Sequence, residues 1–165
     1  MSIAGGVVEA VARARAVGAT ALQIFTSSSN QWRARNIPPD EAEAFRRAVQ
    51  EAGIRATIAH NTYLINLASP VESLWKRSLG AMLGEIGRAD LLGIDFLVFH
   101  PGSHVGSGEE AGIARIADAI NRLFDARPGM RTTLCFEVTA GQGSNLGCRF
   151  EQIAGSAGEE LTPLS

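Results

Sequence analysis

The stretch Ile54-Arg-Ala-Thr-Ile-Ala-His60 is a short apolar run, rich in β-branched residues, that ends on an imidazole. The same arrangement returns twice. Ile94-Asp-Phe-Leu-Val-Phe-His100 closes 40 residues later, and Thr133-Leu-Cys-Phe-Glu137 closes 37 residues after that. Helix-length segments lie between the runs, so the order reads strand, helix, strand, as in the βα units of a parallel sheet. Folds of this kind carry their chemistry at strand C-termini. Residues two apart share a face of a strand. His60 therefore goes with Ile58 and Ala56, His100 with Val98 and Phe96, and Glu137 with Cys135 and Thr133. The three ionisable groups are expected to converge on one mouth, and two imidazoles with a carboxylate are a metal-ligand composition. The residues alone leave a second reading open, with His60 a satisfied core histidine and Tyr63 a packing residue.

Outward from these runs, a helical apolar spacing over Gly6 to Val17 stops at Gly18, and a strand follows at Ala21–Phe25. A polar loop, Thr26 to Asn36, leads to a helix expected from about Asp40 to Ala52, closed by Gly53. Ser69-Pro-Val-Glu72 reads as a capping box with proline at the first helical position. Behind it Trp75, Leu79, Met82, Leu83 and Ile86 recur at three and four, which predicts one buried stripe ending at Gly93. A further helix is expected from about Glu109 to Phe124 behind Ser107, burying Ile113, Ile116, Ile120 and Leu123. Phe150 to Ser165 opens like a helix and decays into Gly-Ser-Ala-Gly-Glu-Glu. Both faces of the parallel sheet are expected to be covered. No linker or low-complexity tract divides residues 1–165, so one domain is expected, and with four strands visible it reads as an incomplete one.

Composition narrows the function. Net charge is −2 and the pI is near 5.9, so the basic surplus of a general nucleic-acid binder is absent, although a local basic patch is compatible with these values. Two cysteines without a CxxC spacing fit a reduced interior. There is no secretory leader pattern and no run of about 18 apolar residues. A cytoplasmic location is expected.

Three strings hold the chemistry: His60-Asn-Thr-Tyr-Leu-Ile-Asn-Leu-Ala68, Phe99-His-Pro-Gly-Ser-His104, and Glu137-Val-Thr-Ala-Gly-Gln-Gly-Ser-Asn-Leu-Gly147. Pro101-Gly102 prevents His100 and His104 from sharing a helix, so His104 reads as a solvated loop residue or a support for a ligand rather than a ligand. A carboxylate entering an apolar strand end must be paired, protonated or metal-bound. The glycine-rich string lacks the Gly-Lys-Ser/Thr of a phosphate loop.

Together these strings resemble the endonuclease IV family of apurinic/apyrimidinic DNA repair endonucleases, with Gln31-Trp32-Arg33 as a weaker fourth match. The likeness runs from Ser2 to about Ala154. It implies a TIM (β/α)8 barrel, of which about half is present, and a trinuclear zinc site hydrolysing the phosphodiester 5′ to an abasic site in double-stranded DNA. On matching positions His60, His100 and Glu137 would hold one Zn2+, with Glu137 also bridging a second metal in catalysis. Tyr63 and Leu64 match wedge residues that hold the duplex bent, and Gln31, Trp32 and Arg33 match DNA contacts. His104, Asn66 and Gln142 fall behind the ligands or against phosphate.

There are departures from the family pattern. Val138 replaces an asparagine usual in the family, and Asn30 stands where some relatives have arginine. Later ligands have no counterpart after Glu137, where the acids are Glu151, Glu159 and Glu160. The family's first strand also has no counterpart, as though the reading frame began late. Two other functions stay open: a metal-dependent TIM-barrel sugar isomerase or epimerase, and a non-catalytic remnant that binds metal or DNA. Unpaired sheet edges make self-association a further expectation.

Overall fold

The computed structural model describes residues 1–157. The elements run α1 (Val7–Ala16), β1 (Ala21–Phe25), α2 (Pro39–Glu51), β2 (Ala56–His60), α3 (Glu72–Leu92), β3 (Phe96–Phe99), α4 (Glu109–Ala126), β4 (Thr133–Phe136) and α5 (Phe150–Ser156). The helix expected to open at Phe150 is present, and the stretch 158–165 lies outside the described residues. No helix among the described residues is long and apolar enough to cross a membrane.

The chain forms two compact units. The first comprises Met1–Leu64, Gly84–Phe99 and Met130–Cys135. It holds a sheet of order β1-β2-β3-β4, in which β1 pairs with β2 and β2 with β3 in parallel. The pairing runs Ala21 opposite Ala56 to Phe25 opposite His60, and Ile58 opposite Phe96 to His60 opposite Val98. Leu22, Ile24, Thr57, Ala59, Leu97 and Phe99 form the packed face of these strands. Val7, Ala10, Val11 and Ala14 of α1, Ala42 and Phe45 of α2, and Ile86, Ala89 and Leu92 of α3 are buried in the same unit. The alternate face is open by comparison: Ala21, Gln23 and Phe96 are exposed, and Phe25, Ala56, Ile58 and Val98 are half-buried. The expectation that both faces are covered therefore does not hold among the described residues. The face that shares His60 is the open one.

The second unit comprises Ile65–Leu83, His100–Gly129 and the chain from Phe136 onward. In α4, Ile116, Ala119, Ile120 and Leu123 are buried as the apolar spacing predicts, while Ile113 is only half-buried. Trp75 of α3 is buried. Its indole N–H donates to the Arg115 carbonyl at 3.3 Å, and the Arg115 and Arg122 guanidiniums lie 4.8 and 5.3 Å from its ring, close enough for cation–π attraction.

Two details of α3 differ from the sequence expectation. The helix begins at Glu72, because the Ser69 hydroxyl accepts the Val71 N–H at 3.2 Å as a local turn instead of capping a helix that starts at Pro70. Glu72 bonds Arg115 at 2.8 Å and faces Lys76 at 3.3 Å, so it is not the reciprocal member of a capping box. The fully buried stripe also includes Ser78 and Glu85, whereas Leu79 and Leu83 are half-buried.

Burying Glu85 requires partners. It accepts hydrogen bonds from the hydroxyls of Thr26 and Ser27, the latter at 2.8 Å, and its Oε1 lies 2.9 Å from Arg88 Nη2. Arg88 Nε also donates to Thr26 Oγ1 at 3.1 Å. This cluster fixes the first two residues after β1. A different carboxylate supports α1, whose N-cap Gly6 offers no side chain. Glu41 Oε1 accepts the Val7 N–H at 3.2 Å, and Glu41 Oε2 accepts from Arg35 Nη1 at 2.8 Å. The Arg35 hydrogen bonds hold the Glu41 carboxyl below its ordinary value of 4.5, with Val7 contributing in the same direction.

Glu85→Ala should destabilise the protein by roughly 3 kcal/mol in urea unfolding, since it strands Arg88 and two hydroxyls; a loss below about 0.5 kcal/mol would contradict this role. Glu41→Gln should cost about 1 kcal/mol at neutral pH. A carboxyl with a lowered folded pKa stabilises above its unfolded pKa, and that contribution is lost as pH falls through the folded one. The wild-type advantage should therefore shrink below pH 4.5 and vanish once Glu41 is protonated. A difference that persists in strong acid would contradict the assignment.

Candidate metal centre

His60 is the last residue of β2 and is 5% exposed. Its Nδ1 lies 2.8 Å from the Asn61 carbonyl, which can only accept, so this contact puts the ring proton on Nδ1 and the lone pair on Nε2. Phe25 and Tyr63 brace the ring, each with centroids 5.3 Å from it. Tyr63 itself is 58% exposed. Its backbone N–H donates to the Ser29 carbonyl at 3.1 Å, and the Thr62 hydroxyl donates to the same oxygen at 2.7 Å. The loop after β2 is thereby tied to the loop after β1, where Gln31 and Arg33 are exposed and Trp32 is half-buried. Leu64, beside Tyr63, is half-buried.

His100 directly follows β3, and Glu137 directly follows β4. His100 Nε2 and Glu137 Oε2 are 3.5 Å apart, with both side chains partly exposed. Each of His60, His100 and Glu137 offers one ligand atom, and these atoms lie within 4.8 Å of one another. Two imidazoles and one carboxylate, with one imidazole oriented by a backbone carbonyl, suit a zinc ion bound through three protein ligands and open at a further position.

The other expected residues take different places. His104 is a loop support: its Nδ1 accepts the Gly108 N–H at 3.2 Å, and its carbonyl accepts the Ser107 hydroxyl at 2.8 Å. Asn66 spends its amide on backbone atoms of Ala68 and Ser103. Gln142 is exposed, and its carbonyl accepts the Asn145 N–H at 3.1 Å. Val138, at the position usual for asparagine, is 55% exposed.

Sequence reading overlooked Glu85, Arg88, Thr26 and Ser29. For Glu85 a signal existed: Trp75, Ser78, Met82, Glu85 and Ala89 repeat at three and four, so the helical period places two polar residues on the buried stripe. Nothing local marks Ser29, which acts through its carbonyl.

Residues 11–158 match the family model described as xylose isomerase-like TIM barrel. A probable endonuclease 4 from Chloroflexus aurantiacus (strain ATCC 29366 / DSM 635 / J-10-fl) is 49% identical over 93% of this chain and 54% of that protein. The crystal structure of endonuclease IV from Thermus thermophilus superposes with a TM-score of 0.80 at 40% identity, over 93% of this chain and 55% of that one. A D-tagatose 3-epimerase-like protein superposes with a TM-score of 0.68 over 86% of this chain and 52% of that one, at 14% identity, a likeness of fold alone. The chain spans about half the length of the curated relatives it matches. The resemblance to endonuclease IV read from the three strings is borne out, and the parallel βα units are those of a TIM barrel. With residues 11–158 matched by its model, the chain belongs to the xylose isomerase-like TIM barrel family.

Proposed function

We propose that this chain is part of a DNA repair endonuclease that uses zinc to hydrolyse the phosphodiester 5′ to abasic sites in double-stranded DNA. The observation that carries the reading is the convergence of His60, His100 and Glu137 within 4.8 Å, in a chain 49% identical to a probable endonuclease 4. A zinc ion held there would lower the pKa of a water and polarise a phosphoryl oxygen. The protein residues provide the setting. Asn61 orients the His60 ring, and Glu137 contributes the carboxylate donor beside His100 and carries the catalytic role. Among the described residues no second cluster of this kind is present, so one zinc per chain is expected.

The DNA-facing role falls to the loops after β1 and β2. Tyr63 presents an exposed ring whose base is held by Ser29, Phe25 and His60, a suitable support for a side chain that enters a base stack. Leu64 sits beside it. Arg33, Gln31 and Trp32 lie on the loop that Ser29 joins to Tyr63. Because net charge is −2, attraction to phosphate rests on this local patch and on the bound cation rather than on the protein as a whole. His104 and Gln142 serve as supports around the site. Both cysteines are unpaired, which agrees with a reducing, cytoplasmic setting. The open sheet face, with Phe96 39% exposed, favours self-association.

The test uses the purified chain with a duplex carrying one abasic site. Zinc should bind near one equivalent, and His60→Ala, His100→Ala and Glu137→Gln should each weaken it by roughly ten-fold or more. A zinc-dependent nick 5′ to the lesion should disappear in those variants and fall in Tyr63→Ala by more than any loss of zinc affinity in that variant. Zinc binding without a nick would reduce the reading to a non-catalytic one, and turnover of a ketose would transfer it to the epimerases. Sedimentation over a concentration range should show reversible association, weakened by Phe96→Glu; a monomer at every concentration contradicts the self-association.

A further inference from the structure

The turn that follows His100 is held from both sides. On one side, Asn66 Oδ1 accepts the N–H groups of Ser103 at 2.9 Å and Ala68 at 3.0 Å, while Nδ2 donates to the Ser103 carbonyl at 2.9 Å. The side-chain amide thus makes with Ser103 the donor-and-acceptor pair that a neighbouring strand would make. Asn66 is itself fixed, because its backbone N–H donates to the buried Ser78 hydroxyl at 3.0 Å. This is the work of one of the two polar residues on the buried stripe of α3.

On the other side, the Leu146 N–H donates to the Gly102 carbonyl at 2.9 Å, and the His104 N–H donates to the Ser144 carbonyl at 3.0 Å. The hydroxyls of Ser103 and Ser144 are 2.6 Å apart, and Ser103 forms an antiparallel bridge with Asn145. Thr139 completes the path. Its N–H donates to the Gly147 carbonyl at 3.1 Å and its hydroxyl to the Leu146 carbonyl at 2.9 Å. A continuous series of hydrogen bonds therefore runs from Asn66, through Gly102 and Ser103, to Ser144–Leu146 and Thr139. His100 stands two residues before Gly102, and Glu137 two residues before Thr139.

The packing leaves little room for alternatives. Gly102 has φ +121, and a Cβ there would come within 2.4 Å of Asn66 Oδ1 and 3.0 Å of the Ala68 nitrogen. A Cβ on Gly147 would lie 2.7 Å from Pro101 Cγ. The two glycines let the three loops approach at backbone distance.

We propose that Asn66 is a positioning residue: it locks the Pro101–His104 turn to the Ser144–Leu146 loop, so that His100 and Glu137 hold their spacing before any cation arrives. The consequence for zinc rests on the metal reading above. A Pro-Gly turn without this clamp would have to be ordered when the cation binds, and that ordering would weaken affinity. The clamp itself does not require metal.

The experiment compares the wild-type chain with Asn66→Ala and Asn66→Asp by two readouts: zinc affinity in competition with a chelating dye, and amide hydrogen exchange in metal-free protein. Asn66→Ala should weaken zinc roughly ten- to hundred-fold. It should also speed exchange at the His104 and Leu146 amides, which Asn66 does not touch, while the amides of α1 and α2 keep their protection. Asn66→Asp keeps the two acceptor contacts but sets a carboxylate oxygen against the Ser103 carbonyl, so its zinc affinity should fall between wild type and Asn66→Ala. Unchanged exchange at His104 and Leu146 in a folded Asn66→Ala would overturn the proposal, as would zinc affinity within about two-fold of wild type.

Should Asn66→Ala fail to fold, Asn66→Asp removes the Nδ2 bond to the Ser103 carbonyl and leaves the two acceptor contacts in place. It should still speed exchange at those two amides, and an unchanged pattern would overturn the proposal. A wild-type chain that binds no zinc defeats the metal reading alone, because exchange still decides whether the clamp exists.

Discussion

The parallel register between β2 and β3 is the constraint on which the rest depends. It sets Ile58 opposite Phe96 and His60 opposite Val98, and His100 follows two residues along the same strand direction. Side chains alternate along a strand, so a slip of one residue would carry His60 from the open face to the face of Thr57, Ala59 and Leu97, among the packed residues. An imidazole buried there without a partner would be costly. The apolar alternation that builds the core on one face therefore also fixes His60 on the other. Strand length matters equally: β2 ends on His60, β3 one residue before His100 and β4 one residue before Glu137.

Beyond the strand ends, precision comes from buried and half-buried polar groups held by their partners. Glu85 holds the hydroxyls of Thr26 and Ser27 after β1, Ser29 receives Thr62 and Tyr63 after β2, and Asn66 receives Ser103 after β3. Each arrangement desolvates polar atoms and recovers the cost only when every bond is made. Loops after strands are ordinarily the mobile part of such folds. Here the segments directly after β2 and β3 are tied to their neighbours by these hydrogen bonds.

Much of this was legible in the residues, for identifiable reasons. Glycines 18, 53 and 93 punctuate helices whose last turns end within two residues of where the sequence reading put them. The strands at Ala21 and Thr133 begin where the apolar runs begin. His60, His100 and Glu137 were legible as strand-end residues because a period of two and a recurring βα length leave little choice. The expectations of zinc and of an abasic-site substrate came from resemblance, not from period. What was not legible involves partners distant in sequence. Ser69 looks like a helix cap until its hydroxyl is spent on Val71. Glu85 interrupts an apolar stripe for the sake of Thr26, 59 residues away, and Asn66 is committed to Ser103, 37 residues away. The open sheet face was also missed, since a strand pattern does not say how much of its second face is covered.

The most direct test of the account is X-ray absorption at the zinc edge on the chain loaded with one equivalent of zinc. The account predicts a first coordination sphere of nitrogen and oxygen at about 2.0–2.1 Å, with the outer-shell scattering of two imidazoles. Loss of one imidazole contribution in His100→Ala would identify the ligand. A sphere containing sulfur at about 2.3 Å, which would point to Cys135 or Cys148, or a spectrum without imidazole scattering, would contradict the claim that the ends of β2, β3 and β4 form the metal site.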